Sequence, residues 1–480
     1  MEQSEITLHN ILLSKYHFKA FRPGQEEALV STLKGVPTLA ILPTGAGKSL
    51  LYQLPAYVTK GLIVVISPLI SLMQDQVDRI RQQGDFKVAM LNSRLDYQER
   101  RAILQSLNDY RFLFTSPETL VKPAVLSRLR KVALSMMVVD EAHCVSQWGP
   151  NFRPEYLLLK NVIADVQPPR LLLLTATAPT TVANDIIEKL GLNRNGIKTI
   201  RQSVDRPNIF LAVKQLTDDL DKQRYLIKII HQLGSSGVVY FSSKKVANQV
   251  SQLISKQCGL RVGVYHAGLD NLERFQIQQQ FMNNQLDLIC ATSAFGMGIN
   301  KNDLRYVIHY HLPGSLESYV QEFGRAGRDG QPALALLLYC PGDEYLQQVL
   351  GQIELPGNSV LQRIHDGKLS SNSLGDQKEL FEFYFNHHYS VRDVQTIMRE
   401  QNRLSKQRLK IMMNYINAGK CLRRIITEYF GEQMVKKPRM CCSIDKPDWQ
   451  AQNLGLPAVE LLKEEASQQD WQQVIKQLFH

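Results

Sequence analysis

The sequence predicts an α/β protein of two tandem, doubly wound parallel-sheet domains, followed by a mainly helical C-terminal subdomain. Three observations point there. Short runs that are apolar at every position recur through two successive stretches of the chain, segments of helical spacing with charged outer faces separate them, and strand-like runs cease after Pro341. A run without polar alternation suits a strand covered on both faces, the usual state of a strand in a parallel sheet flanked by helices.

In the first stretch the runs are TLAIL (38–42), LIVVIS (62–67), FLFTS (112–116), MMVVD (136–140) and LLLLTATA (171–178), with helical spacing at 69–83 and 97–107 among them. The pattern restarts with VVYFS (238–242), RVGVYH (261–266), LDLICAT (286–292), RYVIHYHL (305–312) and ALALLLY (333–339). Strands alternating with helices build doubly wound sheets, and 201–208 reads as the connector between two of them. The expected domains are 1–205, 206–342 and a helical subdomain at 343–450, with 451–480 as a tail helix. The polar SSNSLGDQ (370–377) reads as a linker or exposed loop. RLSKQRLK (403–410) and VKKPR (435–439) suit either solvated faces or phosphate contacts. KPDWQ and the amphipathic EEASQQDWQQVIKQLF suggest a terminal helix docking on the core or on a partner.

Hydrophobic residues at 44% and charged residues at 21% of 480 are the profile of a soluble globular protein with two or three cores. A net charge of +11 favours a polyanionic partner without choosing one. The opening MEQSEITLHN carries no secretory signal, and no apolar run approaches the roughly 18 residues that span a bilayer. Seven cysteines in such a chain are expected as free thiols, which places the protein in the cytoplasm, with the nucleoid if bacterial.

The chemistry concentrates in three places. PTGAGKS (43–49) follows a strand run and opens a helical one, the setting a phosphate loop requires. Gly45 and Gly47 free backbone N–H groups to turn around an anion, Lys48 can reach the β- and γ-phosphates, and Ser49 can ligate Mg2+. The generic spacing wants glycine where Leu42 stands. Asp140 and Glu141 end the run MMVVD, where ligands of an open parallel sheet gather. Asp140 is expected to hold Mg2+, directly or through water, and Glu141 to orient and deprotonate the attacking water. Trp148, Phe152 and Arg153 follow within a few residues and suit stacked bases and phosphates. QEFGRAGRDG (321–330) puts Arg325 and Arg328 where a helix runs out into a glycine turn, free to reach a γ-phosphate across a cleft. With loop and arginines on different domains, ATP binding would close the cleft and hydrolysis would open it.

FRPGQEEAL (21–29), PTGAGKS, ISPLISLMQDQV (66–77), TSPE (115–118), DEAH (140–143), TATA (175–178), YHAGL (265–269), ATSAFGMGIN (291–300) and QEFGRAGRDG resemble, in order, the motifs of the RecQ family of superfamily 2 DNA helicases. The resemblance is dense over 8–345 and thinner to 445; HCVSQWGPNFRPEY, similar to the family's aromatic-rich loop, and AFGMGIN are its most specific pieces. It implies RecA-like folds for both sheet domains, with ATP and Mg2+ as cofactors. It implies Arg22 and Gln25 at the adenine, and Thr44, Gly45, Gly47, Lys48, Ser49, Gly298 and Gln321 around the nucleotide. Ser243, His266 and Thr292 would contact DNA with Trp148, Phe152 and Arg153, and these last three would report its presence to the ATP site. The implied activity is ATP-driven 3′-to-5′ movement on single-stranded DNA, with duplex unwinding in repair and recombination. Expected partners are single-stranded and tailed duplex DNA and a single-stranded DNA-binding protein, with the chain a monomer. The alternatives are a translocase or RNA helicase with little unwinding, and a nucleotide-switched annealing protein; intact Lys48, Glu141 and Arg328 speak against a mere switch.

The chain departs from the family in four respects. Tyr16, His17 and Phe18 stand where the family usually has phenylalanine, glycine and tyrosine. Pro150 and Asn151 replace a usual histidine and aspartate, so the coupling of DNA to hydrolysis is expected to be tuned differently. CLRRIITEYFGE (421–432) matches the start of the family's zinc module, but the usual C-x-x-C-x-x-C is replaced by RMCCSID. Cys421, Cys441 and Cys442 leave an incomplete set that Asp445 could complete weakly, so the thiols are expected chiefly as small core residues. Too few residues follow Cys442 for the family's winged-helix and helical DNA-binding domains, so a short form is expected.

Overall fold

The computed structural model describes residues 2–146, 154–234, 236–296, 301–434 and 436–456. A first sheet holds β1 (Thr38–Ile41), β2 (Leu62–Ile66), β3 (Val88–Leu91), β4 (Phe112–Thr115), β5 (Leu134–Val139), β6 (Leu171–Thr175) and β7 (Lys198–Arg201), in the order β3-β4-β2-β5-β6-β1-β7. A second holds β8 (Ile209–Gln215), β9 (Gly237–Tyr240), β10 (Val262–Tyr265), β11 (Leu288–Ala291), β12 (Tyr306–His309) and β13 (Ala333–Tyr339), in the order β10-β11-β9-β12-β13-β8. All their registered pairs are parallel. The second order repeats the first six strands of the first, so the chain carries one RecA-like plan twice.

The apolar runs do what their pattern requires. Strands β1, β2, β4, β6 and β13 are buried at every position. Successive residues point to opposite faces: Leu39, Ile41, Val64 and Ile66 enter one core, while Ala40, Leu42, Ile63 and Val65 enter the other. Helices over Ile70–Gln82 and Tyr97–Gln105 occupy the positions their spacing predicts. Three strands are additional to the predicted set. VAML of β3 is short, KTIR of β7 is a polar edge, and β8 starts directly after the connector, where its apolar IFLAV was not separated from it.

The helical region contains Asp343–Gly351, Asn358–His365, Lys378–Asn386, Val391–Ile416 and Leu422–Tyr429. SSNSLGDQ largely forms a short 3-10 helix, Ser371–Gln377, broken at Gly375. Leu409, Met412, Tyr415, Leu422, Ile426 and Phe430 share one core with Leu211 and Tyr319 of the second sheet domain, whereas Leu361, Phe381, Phe383, Tyr384, Val394 and Met398 form a separate small core. Cys442 forms an isolated parallel bridge to Leu211, extending the sheet at its β8 edge. Trp449 packs on Phe210 with ring centroids 5.3 Å apart. The amphipathic piece with Trp471 lies outside the described residues. Among the described residues no helix is long and apolar enough to cross a membrane.

The first helix, Glu2–Tyr16, closes with His17 N–H donating to Leu13 O (3.2 Å) and Phe18 N–H to Leu12 O (3.3 Å), and His17 takes φ 58°. That is a left-handed helix cap, which favours glycine. A side chain there costs about 1–2 kcal/mol. His17→Gly should therefore slow amide exchange over residues 12–18; faster exchange would show that the imidazole supports the turn.

Candidate active site and nucleic-acid interface

The phosphate loop leaves the carboxyl end of β1. Gly45 and Gly47 take φ 87° and 73°, a conformation open to glycine at no cost. A Cβ on Gly47 would stand 2.7 Å from Nε2 of Gln25. Gln25 opens the helix Gln25–Leu33; its Nε2 donates to the carbonyls of Ala46 (2.8 Å) and Gly47 (3.2 Å), and its Oε1 accepts from the Arg22 N–H (2.8 Å). Arg22 Nη1 donates to the Gly45 carbonyl. The pair expected at the adenine thus also braces the loop. Lys48 Nζ donates to the Leu42 carbonyl at 3.2 Å, and Ser49 caps the helical turn Leu50–Gln53.

Asp140 and Glu141 follow β5, one strand away from β1 across β6. Glu141 has φ 48°, a costly conformation for a side-chain-bearing residue and common at functional sites. Glu141 is buried and its Oε2 accepts no hydrogen bond, although His143 Nδ1 lies 3.2 Å away. The same His143 nitrogen lies 3.1 Å from Thr175 Oγ1 at the end of β6, tying DEAH to TATA. This link was not visible in the sequence, because it depends on β5 and β6 being neighbours.

Burial, with the adjacent Glu141 charge, raises Asp140 to about 7. Burial opposes the Glu141 charge as well, but His143 beside it, helped by Lys48 and Arg325, holds that carboxyl at about 2. Environment thus pushes two neighbouring carboxyls in opposite directions. Asp140 with Ser49 is a donor set that fits Mg2+, which binds one or two carboxylates and phosphate oxygens. The unbonded Glu141 oxygen fits an attacking water.

The second sheet contributes the arginines. Gln321 rides the helix Leu316–Phe323, which ends in the turn carrying Arg325 and Arg328. Arg325 is buried and donates to the Gly296 carbonyl, leaving its Nε without a hydrogen bond. Arg328 crosses to the phosphate loop: a Cβ on Gly45 would lie 3.6 Å from its Cγ. Burial, then Arg325 and Arg206, lower Arg328 to about 9. Burial lowers Lys48 too, and both arginines add to that effect against the two carboxylates. Cations depressed in this way are stabilised when a polyanion comes between them.

Ser243, His266 and Thr292 come together. They lie just beyond β9, β10 and β11, which are neighbours in the second sheet. Ser243 caps the helix Lys244–Cys258, and the Thr292 N–H donates to Tyr265 O at 3.0 Å. His266 is buried, with Nε2 3.3 Å from Asn248 Nδ2 and Nδ1 unpartnered. Trp148, Phe152, Arg153 and Gly298 lie outside the described residues, as do Pro150 and Asn151. The flanks of the aromatic-rich loop are described: Val145 is buried beside Glu141's turn, and Tyr156 OH donates to the Asp140 carbonyl at 3.2 Å.

The cysteine module closes more tightly than its sequence suggests. One ligand atom from each of Cys421, Cys441, Cys442 and Asp445 lies within 4.8 Å of all the others. Sγ of Cys421 is 3.4 Å from that of Cys441 and 3.8 Å from that of Cys442, whose Sγ is 3.1 Å from Asp445 Oδ2. Tetrahedral zinc with thiolates at about 2.3 Å implies sulfurs about 3.8 Å apart, so the set fits. Adjacent Cys441 and Cys442 both face inward because the bridge to Leu211 is a single pair, not a regular strand. Lys437 Nζ holds the other side of Asp445 at 2.6 Å, which uses one charge of VKKPR internally.

Paired RecA-like sheets, with a phosphate loop on one and arginines reaching it from the other, are the layout of a superfamily 2 helicase. Family models agree: DEAD/DEAH box helicase matches residues 22–186, helicase conserved C-terminal domain 221–330, and RecQ zinc-binding 386–446. The chain is 44% identical over 347 residues to the probable ATP-dependent DNA helicase RecS of Bacillus subtilis, covering 72% of this chain and 70% of that protein. It is 38% identical over 347 residues to ATP-dependent DNA helicase RecQ of Haemophilus influenzae, again 72% of this chain but 55% of the relative, so the match spans about half of that longer protein. The chain belongs to the RecQ family of ATP-dependent DNA helicases. A solved structure of Mycobacterium smegmatis helicase Lhr bound to ssDNA and AMP-PNP shares the fold, with TM-score 0.56 over 77% of this chain and 54% of that one at 20% identity.

Proposed function

We propose that this chain couples ATP hydrolysis to 3′-to-5′ movement along single-stranded DNA and thereby opens tailed duplexes, acting as a monomer in repair or recombination. The observation that carries this is Arg328 lying against Gly45, which joins the two sheets at the phosphate loop. ATP between them draws the sheets together through Lys48, Arg325 and Arg328. Ser49 and Asp140 would hold Mg2+, which would supply charge neutralisation for the phosphates. Glu141 orients the attacking water and accepts its proton, and both arginines stabilise charge on the transferring phosphoryl group. After cleavage the γ-phosphoryl no longer bridges the sheets, and they separate.

DNA is proposed to run over the strand ends beside Ser243, His266 and Thr292. Trp148 and Phe152 would stack bases, worth about 1–3 kcal/mol each, and Arg153 would contact a phosphate. The loop that carries them is anchored on both sides by residues beside Asp140 and Glu141, so DNA on the loop has a short path to the water-activating carboxylate. Relatives named as DNA helicases support DNA over RNA. ATPase rates with single-stranded DNA, duplex DNA and RNA, run beside unwinding of 3′- and 5′-tailed duplexes, test the reading. Preference for the 3′ tail and for single-stranded DNA is expected. Greater stimulation by duplex than by single strands would indicate a translocase, and stimulation by RNA alone would overturn the DNA assignment.

The cysteine set is proposed to hold zinc through three thiolates and Asp445. A carboxylate in place of a fourth thiolate should weaken retention. Purified protein should contain less than one zinc per chain, and Asp445→Cys should raise the content towards one. Full, chelator-resistant zinc in the unaltered protein would show that Asp445 is no handicap.

A further inference from the structure

The connector between the sheet domains does more than join them. Arg206 turns its guanidinium into the arginine-bearing turn: Nη1 donates to the Gly324 carbonyl (2.7 Å), and Nη2 to those of Ala326 (3.0 Å) and Gly327 (2.6 Å). Asn208 Nδ2 donates to Gly327 (2.9 Å) and Gln331 (2.8 Å). Gly324 and Ala326 flank Arg325, and Gly327 and Gln331 lie on either side of Arg328. Gly327 itself takes φ 55°, and a Cβ there would stand 2.5 Å from Asn208 Nδ2, so the turn is tailored to the connector.

Arg206 is held in turn from the cysteine module. Arg423, 2% exposed, stands two residues after Cys421 in the helix Leu422–Tyr429. Its Nη1 donates to Asp205 Oδ1 and to the Arg206 carbonyl (2.9 Å), and its Nη2 to the carbonyls of Ile209 and Cys441 (3.4 Å). Glu432, at the other end of that helix, accepts from the Val204 N–H at 3.1 Å and from Ser203 Oγ. An unbroken set of hydrogen bonds therefore runs from Cys421 and Cys441, through Arg423 and the connector, to the turn that aims Arg325 and Arg328.

We propose that Arg206 is a positioning residue for the γ-phosphate arginines, and that Arg423 links its placement to the cysteine module. This rests on the reading of Arg328 as an arginine that meets the γ-phosphate. A catalytic group displaced by about 1 Å can cost about 10²-fold in rate, and three directed bonds to one turn are what prevents such displacement. Lysine has a single point of contact and cannot reproduce a planar fork.

The test is a double-mutant comparison of single-stranded-DNA-stimulated ATP hydrolysis in the full chain. Arg206→Gln should lower kcat about 10- to 100-fold, with KM for ATP and affinity for a single-stranded oligonucleotide within about twofold, and Arg206→Lys should recover little of it. Added to the double variant Arg325→Ala/Arg328→Ala, Arg206→Gln should cost almost nothing further, because it acts through the groups already removed. Multiplying losses, or a kcat that Arg206→Gln leaves intact, would overturn the proposal. Failure of Arg328→Ala itself to lower kcat would sink the underlying finger reading instead. For the module, Arg423→Gln should lower kcat on its own and lose that effect in the Arg206→Gln background. Should Arg423→Gln not fold, Asp205→Asn is measured in the same way. An independent, multiplying loss in either would detach the module from the turn.

Discussion

Lys48→Ala should abolish ATP hydrolysis while leaving single-stranded DNA binding nearly intact. Lys48 sits at the base of the phosphate loop with its ammonium on the Leu42 carbonyl, within the influence of the Glu141 and Asp140 carboxylates and of Arg328 and Arg325. Removing it takes away a flexible cation that can follow the β- and γ-phosphates as charge develops. Loss of a single preorganised donor typically costs about 10²–10³ in rate, and a cation should cost at least that. The strand ends at Ser243, His266 and Thr292 belong to the other sheet, so DNA affinity and its salt dependence should change little. Hydrolysis by radiolabelled phosphate release, beside fluorescence anisotropy of an oligonucleotide, separates the two. Turnover close to that of the unaltered protein would mean the loop has been misassigned.

Arg328→Ala should lower kcat by about 10³–10⁵, the range associated with arginine fingers. ATP binding should survive better than turnover, because the residue acts on charge that appears in the transition state. The electrostatics favour a large effect: Arg328 is held in surroundings that disfavour its charge until an anion arrives. Arg328→Lys should not restore the rate, since an ammonium cannot match a bidentate fork. A loss shared equally between KM and kcat would instead indicate ground-state binding of the nucleotide.

Much of this was legible in the residues. Fully apolar runs such as LIVVIS and ALALLLY announced strands covered on both faces, and PTGAGKS, DEAH and QEFGRAGRDG, each pairing glycine or a strand end with a charge, marked segments that the fold brings near one another. What escaped notice depends on spatial adjacency. VAML and KTIR are too short or too polar to stand out, and their place in the sheet comes from pairing with β4 and β1. His143 meets Thr175, and Arg206 meets Gly324, only because the fold brings distant segments together. The cysteine set looked deficient because spacing was judged along the chain, while the bridge to Leu211 turns adjacent thiols inward. Trp148, Phe152, Arg153 and Gly298 keep the standing their motifs give them.

The bridge between Cys442 and Leu211 bears on biosynthesis. Ser443 N–H donates to the Leu211 carbonyl (2.8 Å) and its Oγ accepts from Val213 N–H (3.2 Å), a separation of 230 residues. A nascent chain therefore emits β8 long before the segment that covers its outer edge. In that interval the second sheet offers unpaired backbone groups, the feature by which edge strands recruit one another. Domains emerge and fold in order during synthesis, yet this one cannot finish until translation has passed Ser443. The cysteine segment thus pairs with the β8 edge at Leu211 and Val213 as well as gathering thiols, and that stretch of edge stays open until it arrives.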